Sequence, residues 1–119
     1  MKYLVADDSK LARRVLKKSL CEFVHEDDIV EACDGLEALK MLLQEKLEII
    51  FLDLTMPVMD GYEAIPKMLD INPDAKIIVV SADIQEKAKE KVLSLGAVMH
   101  VAKPINPTKM KEILDLLAL

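Results

Sequence analysis

Short apolar runs alternate with helical patterns along the whole chain, and this alternation constrains the fold more than any other feature. Residues 49–52 and 77–80 are almost entirely apolar, as expected for parallel strands that helices cover on both faces. Residues 3–6 predict a first strand, and the shorter or more polar runs at 29–30 and 98–102 suit the sheet edges. The pattern predicts an α/β fold, a (βα)₅ doubly wound parallel sheet of five strands.

Five helices are predicted between and after these strands. Asp34 followed by Glu37 forms a capping box before the second helix. Gly96 suits the C-terminal end of the fourth helix, and Asn106 with Pro107 suits the start of the fifth. The five helices are marked by Leu11, Val15 and Leu16; Leu36, Leu39, Leu42 and Leu43; Ile65, Met68 and Leu69; Ala88, Val92 and Leu95; and Met110, Ile113, Leu114 and Leu117, the last four forming the predicted buried stripe of the fifth helix.

Pro66 conflicts with the pattern of the third helix. It lies six residues after the expected N-cap Asp60, where it removes a helix hydrogen bond at a cost of about 3 kcal/mol. Either this helix starts late or its first turns are irregular.

Composition excludes several classes of protein. The length of 119 residues is that of one domain, and 52% hydrophobic with 31% charged residues is typical of a folded globular chain. A net charge of −5 and only four aromatic residues argue against direct nucleic-acid binding. No apolar run fits a membrane span or a secretory signal. Cys21 and Cys33 form no CxxC, so we expect a cytoplasmic protein with reduced cysteines.

Polar and charged side chains follow four of the predicted strands. Asp7 and Asp8 follow the first strand, Asp53 the third, Ser81 the fourth and Lys103 the fifth. Ligands of open parallel sheets bind outside the carboxyl ends of the strands. If the first and third strands are neighbours, three carboxylates converge there, and they repel one another unless a cation or a proton is present.

This convergence predicts phosphoryl chemistry with Mg²⁺, which prefers carboxylate oxygens, water and phosphate as ligands. Asp53 is the candidate nucleophile, Lys103 the charge-balancing cation and Ser81 a hydroxyl donor. Each residue alone also has a plainer interpretation, as a helix-terminal acid, a strand-end serine or a solvated lysine. Asp53 differs because it follows the most apolar strand, and the joint arrangement favours a site.

Four segments carry a resemblance to a known family. They are residues 5–9 (Val-Ala-Asp-Asp-Ser), 51–61 (containing Asp-Leu-Thr-Met-Pro-Val-Met-Asp-Gly), 80–82 (Val-Ser-Ala) and 101–104 (Val-Ala-Lys-Pro). With them the entire chain resembles the response-regulator receiver family, in its small stand-alone chemotaxis type. The resemblance implies a flavodoxin-like sheet of order 2-1-3-4-5 and one receiver domain over residues 1–119.

The resemblance also implies roles for the residues at the acidic edge. Asp53 is then the phospho-acceptor and a Mg²⁺ ligand with Asp8 and the backbone carbonyl of Thr55, whereas Asp7 acts through a metal-bound water. Thr55 also lies, with Asp83, near the path of a hydrolytic water and tunes the lifetime of the acyl phosphate.

For the signal that follows phosphorylation, the resemblance implies that Ser81 is the hydroxyl switch and Lys103 the phosphate-sensing cation, in a cis peptide with Pro104. His100 departs from the pattern, because similar proteins usually carry Tyr or Phe at this point. Its ring either swings inward as a switch or is an exposed strand histidine without a switching role.

The expected function is a phosphorylation-activated switch of a two-component system. A sensor histidine kinase, a phosphotransfer protein or a small phosphodonor supplies the phosphoryl group. The face of helix 4, strand 5 and helix 5 then binds a downstream protein or motor component, and a monomer is expected, with a possible dimer through that face. The candidate contacts on this face are Lys87, Lys91, His100 and Lys109.

Three alternatives remain open beside this expectation. The chain is a receiver fragment with an output domain after residue 119, or a pseudo-receiver that binds partners without phosphorylation. The third is an enzyme on the same fold, which is disfavoured because G-x-G-x-x-G, Walker A and the Asp-x-Asp of aspartyl phosphatases are missing. We therefore expect no enzyme activity beyond self-phosphorylation and autodephosphorylation.

Overall fold

The structure, a computed structural model, describes residues 1–118. Five strands alternate with five α-helices, and a short 3₁₀ turn, Glu26–Asp28, precedes the second strand. The elements are β1 (Tyr3–Ala6), α1 (Lys10–Leu20), β2 (Ile29–Ala32), α2 (Gly35–Gln44), β3 (Ile49–Leu52), α3 (Gly61–Ile71), β4 (Lys76–Ser81), α4 (Glu86–Leu95), β5 (Met99–Ala102) and α5 (Pro107–Leu117).

All five strands are parallel and lie in the order β2-β1-β3-β4-β5. The predicted fold class and strand order are therefore confirmed. Ala6 at the end of β1 pairs with Ala32 of β2 on one side and with Leu52 of β3 on the other. This register places the residues that follow β1 and β3 side by side at the carboxyl edge of the sheet.

The two faces of the sheet are buried in two separate core clusters. Leu4 and Ile50 point into the cluster formed with α2, α3 and α4, whereas Val5 and Phe51 point into the cluster formed with α1 and α5. Successive strand residues alternate between the faces, so a strand covered on both sides must be apolar throughout. This accounts for the uninterrupted apolar runs, and β3 is buried along its full length.

The predicted helix caps are present. The Asp34 carboxylate accepts a hydrogen bond from the Glu37 N–H at 2.7 Å, and Asn106 accepts one from the Lys109 N–H at 2.8 Å. Gly96 ends α4 with a φ of 116°, a left-handed conformation that favours glycine. Asp34 and Asn106 thus mark the starts of α2 and α5, and Gly96 marks the end of α4.

Helix α3 does not start late, and that alternative is wrong. It begins at Gly61 directly after Asp60, whose side chain accepts a hydrogen bond from the Glu63 N–H at 2.9 Å, and Pro66 lies inside it. The Pro66 side chain is exposed, so its ring does not disturb the core. The buried residues Ala64, Ile65 and Met68 are fully packed on either side of it. This packing offsets the missing hydrogen bond to the Tyr62 carbonyl.

Replacing Pro66 by alanine should stabilise the protein. Pro66→Ala restores an N–H in the helix interior, and we expect the free energy of unfolding to rise by about 1–2 kcal/mol, less than the full cost of a helical proline because the unfolded chain gains freedom. Urea denaturation measures this, with the exposed Asp70→Ala in the same helix as the control. A decrease in stability would show that Pro66 is required where it stands.

No α-helix formed by residues 1–118 is long and apolar enough to cross a membrane.

Candidate functional site at the carboxyl edge

Three carboxylates meet at the carboxyl edge of the sheet, as predicted. One ligand oxygen from each of Asp7, Asp8 and Asp53 lies within 4.8 Å of the others. Asp7 and Asp53 are buried, with 6% and 7% exposure, whereas Asp8 is exposed. The pairing of Ala6 with Leu52 produces this cluster, because the next residue of each strand is an aspartate.

Lys103 reaches the same cluster from the loop after β5. Its Nζ lies 2.6 Å from Asp7 Oδ2 and 3.3 Å from Asp53 Oδ1. The Lys103–Pro104 peptide bond is cis, as the resemblance implies. The Lys103 N–H donates to the Ser81 carbonyl at 3.0 Å, which extends the pairing of β4 and β5 by one bond. The structure therefore brings the residues that follow strands 1, 3 and 5 to one place.

Burial and like charge dominate the electrostatics of the cluster. Burial and the nearby Asp7 charge raise the pKa of Asp53, although Lys103 opposes the shift. Burial alone would lower the pKa of Lys103, but its hydrogen bond to Asp7 and the charges of Asp53 and Asp7 outweigh burial and raise it. One lysine faces three carboxylates, so an excess of negative charge remains.

This donor set fits Mg²⁺. Mg²⁺ prefers hard oxygen ligands, and in proteins one or two carboxylates bind it while several waters complete its coordination. The exposed Asp8 leaves one side of the cluster open to water, and a dication would neutralise the negative charge of the three carboxylates that Lys103 alone does not balance.

Ser81 is the last residue of β4, and it is buried with 4% exposure. Its Oγ accepts a hydrogen bond from the Asp83 N–H at 3.0 Å, and Asp83 Oδ1 accepts one from the Gln85 N–H at 3.0 Å. The Ser81 hydroxyl proton is not used in these bonds. Ser81 thus organises the loop that leads into α4 while its own proton stays free to donate.

The loop between β3 and α3 holds the Asp53 backbone in close contact with α3. The Gly61 N–H donates to the Leu54 carbonyl at 2.9 Å, and Thr55 is exposed in this loop. A Cβ at Gly61 would lie 2.6 Å from the Asp53 carbonyl oxygen and 2.9 Å from Leu54 Cα. In the same loop Val58 has a φ of 68°, a strained conformation for a β-branched residue.

Gly61→Ala should therefore push the Asp53 backbone out of place. We expect a loss of about 1–3 kcal/mol of stability, the range for overpacking, because the atoms in the way are backbone atoms. Thermal unfolding measures the loss, and Lys67→Ala at an exposed position of α3 is the control. Unchanged stability would mean that the loop moves aside without cost.

Arg13 is a site residue that the sequence analysis missed. Its Nη1 donates to the Asp7 carbonyl at 2.7 Å, and its Nε lies 3.2 Å from Glu31 Oε1 on β2. This contact ties α1 and the edge strand to the backbone of the acidic cluster. The only signal in the sequence is an arginine one turn into the helix after the acidic pair, which is too common to point to a site.

His100 lies on the edge strand β5, opposite Val79, and is half-buried. Its ring Nε2 is buried and has no hydrogen-bond partner among residues 1–118. A groove of about 280 Å³ runs over His100 between α4 and α5. Of the other predicted contacts on this face, Lys87 and Lys109 are exposed.

Lys91, the remaining candidate on that face, contacts α3. Its Nζ lies 4.3 Å from the centre of the Tyr62 ring. The pKa of Tyr62 is raised, mainly because the side chain is partly buried and further because of the charges of Asp83 and Asp60. Lys91 therefore joins α4 to α3 in this conformation.

Known proteins resemble this chain in both sequence and fold. Residues 3–115 match the profile of the response regulator receiver domain. The chain belongs to this family. It is 35% identical over 112 residues to the chemotaxis protein CheY of Thermotoga maritima, which covers 94% of this chain and 92% of that protein.

Two solved structures illustrate the likeness. The receiver domain superposes on chemotaxis protein CheY4 of Vibrio cholerae with a TM-score of 0.87 and 26% identity, covering 97% of this chain and 96% of that one. It also superposes on a response regulator from Burkholderia pseudomallei that contains a phosphorylated aspartic acid and a calcium ion. The TM-score is 0.82 and the identity 26%, and the match covers 98% of this chain and 72% of that one.

Membership of the receiver family indicates the general role of the chain. This receiver domain is of the CheY type, in keeping with phosphorylation-dependent signalling. Receiver domains generally bind Mg²⁺ and interact with kinases and downstream targets, and CheY-like receivers are signalling proteins rather than dedicated enzymes.

Proposed function

We propose that the chain is a signalling switch that accepts a phosphoryl group on Asp53. The observation that carries the proposal is the buried Asp53 carboxylate at the end of β3, with Asp7 and the Lys103 ammonium beside it. A carboxylate oxygen of Asp53 attacks the phosphorus of the donor. The new O–P bond forms as the bond from phosphorus to the donor's leaving group breaks, and that group departs with the electron pair.

Asp8, Asp53 and the backbone carbonyl of Thr55 would hold Mg²⁺ directly, and Asp7 would do so through a water. When bound, the ion neutralises charge on the carboxylates and on the phosphoryl oxygens. The structure of the Burkholderia response regulator contains both a phosphorylated aspartic acid and a calcium ion, which supports a role for a divalent cation in this proposal.

Lys103 supplies the fixed positive charge of the site. In the structure its ammonium lies closer to Asp7, at 2.6 Å, than to Asp53, at 3.3 Å. Both contacts are short enough for the ammonium to turn toward an oxygen bound to Asp53 without leaving the cluster. The Lys103 ammonium therefore stabilises the negative charge that the phosphoryl group adds, and its contact with that group stabilises the phosphorylated conformation.

Ser81 and His100 transmit the conformational change that follows phosphorylation to the face of α4, β5 and α5. The free Ser81 proton donates to the phosphoryl oxygen, which draws the loop before α4 toward Asp53. The ring of His100, whose buried Nε2 has no hydrogen-bond partner among residues 1–118, lies one strand further out, where it can follow this movement. The face of α4, β5 and α5 then binds a downstream protein, and a sensor histidine kinase or a small phosphodonor supplies the phosphoryl group.

Ser81→Ala should separate phosphorylation from the response. We expect phosphoryl uptake to continue, while the change at β5 and α5 is lost because no hydroxyl reaches the phosphoryl group. NMR amide shifts on adding beryllofluoride and Mg²⁺ measure the response. Ser94→Ala, an exposed serine of α4, is the control. A full response in Ser81→Ala would remove Ser81 from the switch.

Intact-mass spectrometry tests the proposed function directly. The protein is incubated with acetyl phosphate or phosphoramidate, with Mg²⁺ or with a chelator. We expect a gain of one phosphoryl group that needs Mg²⁺, and borohydride reduction followed by peptide mapping should place it on Asp53. No gain under saturating donor would favour a pseudo-receiver that binds partners without phosphorylation.

A further inference from the structure

Every polar group of Asp7 has a partner within the fold. Its N–H donates to the Ala32 carbonyl at 3.1 Å, and its carbonyl accepts a hydrogen bond from Arg13 Nη1 at 2.7 Å. In its side chain, Oδ1 accepts a hydrogen bond from the Ser9 N–H at 2.9 Å, and Oδ2 lies 2.6 Å from Lys103 Nζ. The main chain and the carboxylate of Asp7 are therefore both held in place.

The next residue, Asp8, contrasts with Asp7. It is exposed, and its carboxylate forms no hydrogen bond or ion pair with residues 1–118. The Asp7 carbonyl belongs to the peptide unit that joins the two aspartates. Because this unit is planar, a contact that fixes its oxygen also fixes the direction in which the chain continues to the Asp8 Cα. The group that holds the Asp7 carbonyl therefore helps to position the free carboxylate of Asp8.

Arg13 is the group that holds this carbonyl, and an acid on β2 holds Arg13 in turn. The Arg13 side chain is only 16% exposed, and its Nε lies 3.2 Å from Glu31 Oε1. The other oxygen of that carboxylate, Oε2, lies 3.5 Å from Lys17 Nζ. A guanidinium is a planar fork, so the contact of Nε with Glu31 restricts where Nη1 can point. Arg13 thus connects the Asp7 carbonyl to the edge strand β2 with little freedom to move.

The charge of Arg13 does not itself favour a cation nearby. A positive group close to Mg²⁺ repels the ion. Arg13 contacts the Asp7 carbonyl and Glu31 rather than a carboxylate of the acidic cluster. Any benefit of Arg13 to metal binding must therefore come from its position. Since position and charge have opposite effects on the affinity for Mg²⁺, substitution of Arg13 can separate them.

We propose that Arg13 is a positioning residue of the Mg²⁺ site. By holding the Asp7 carbonyl, it keeps Asp7 and Asp8 where one oxygen of each lies within 4.8 Å of one from Asp53. Glu31 supports this role because it orients the guanidinium from β2. The inference rests on the Mg²⁺ site of the proposed function, but it does not depend on phosphoryl transfer.

Titration with Mg²⁺ alone, without a phosphodonor, tests the proposal through NMR amide shifts. We expect Arg13→Ala to bind Mg²⁺ about tenfold more weakly than the wild type, as is typical when a residue that orients metal ligands is removed. Arg14→Ala is the matched control, because Arg14 is the next residue of α1, is exposed and forms no ion pair with residues 1–118. Its affinity for Mg²⁺ should stay within about twofold of that of the wild type.

Two further measurements separate position from charge and from fold stability. Arg13→Lys keeps the positive charge but lacks the planar fork, so it should also bind Mg²⁺ more weakly than the wild type. It answers the same question should Arg13→Ala fail to fold. In metal-free Arg13→Ala, hydrogen exchange of the Ser9 N–H should accelerate by a larger factor than exchange of the amides of the buried strand β3.

Several results would overturn the proposal. Equal or tighter Mg²⁺ binding by Arg13→Ala or Arg13→Lys would leave Arg13 with a charge effect or none. Equal acceleration of exchange at Ser9 and in β3 would reduce its role to general stability. An equal loss of affinity in Arg14→Ala, or a wild type that binds no Mg²⁺, overturns the proposal as well. If the wild type binds Mg²⁺ but gains no phosphoryl group, the proposed function fails, and the ranking of these variants still decides the role of Arg13.

Discussion

Asp53→Asn should take up no phosphoryl group from acetyl phosphate or phosphoramidate, whereas the wild-type chain gains one. The amide oxygen of asparagine carries no full negative charge, so it cannot act as the nucleophile that forms the acyl phosphate. Stability should not explain the loss. Because burial and Asp7 raise the pKa of Asp53, its ionised form is costly in the folded state, and a neutral amide removes that cost.

Asp60→Asn is the control for this experiment. It makes the same chemical change seven residues further on, at an exposed position where asparagine also serves as an N-cap. Asp60→Asn should be phosphorylated like the wild type, and urea denaturation should show Asp53→Asn to be at least as stable as the wild type. Undiminished uptake by Asp53→Asn would place the acceptor on another residue.

Phe51→Ala should destabilise the fold by about 3–5 kcal/mol, a large part of the 5–15 kcal/mol that typically stabilises a domain. Phe51 is 1% exposed in the middle of the central strand β3 and packs against the layer of α1 and α5. Its removal leaves a cavity between the sheet and the layer of α1 and α5, which the surrounding side chains fill only in part. The loss is measured from the midpoint and slope of urea denaturation.

Phe23→Ala provides the same side-chain deletion at a surface position. Phe23 is 43% exposed, so we expect a loss of less than about 1 kcal/mol. Equal losses in the two variants would mean that β3 does not form the centre of the core.

The strands and the acidic edge were predictable because their signals are local. A parallel strand buried on both faces must be apolar, and residues 49–52 show this without help from the rest of the chain. The polar residues that follow such strands must come out at one edge. The order of the strands is different, since nothing within a strand says which neighbour it pairs with, and it came only from the resemblance.

Tertiary contacts decided the features that the sequence could not supply. The rule that a proline interrupts a helix predicted either a late start or irregular first turns for α3, but the Asp60 cap and the buried residues around Pro66 keep the helix intact. Asp7 and Asp8 are adjacent and chemically identical, yet only Asp7 is buried against Lys103. The contact of Arg13 with the Asp7 carbonyl depends on how α1 lies on the sheet, which no local pattern encodes.

The hydrogen bond from the Lys103 N–H to the Ser81 carbonyl has a mechanical consequence. In the proposed switch, the Lys103 ammonium and the Ser81 hydroxyl belong to residues whose main chains this hydrogen bond joins. A displacement of either main chain would therefore act on the other through this hydrogen bond. Variants that weaken this last hydrogen bond between the β4 and β5 main chains should therefore reduce the proposed response even when every side chain of the acidic cluster is unchanged.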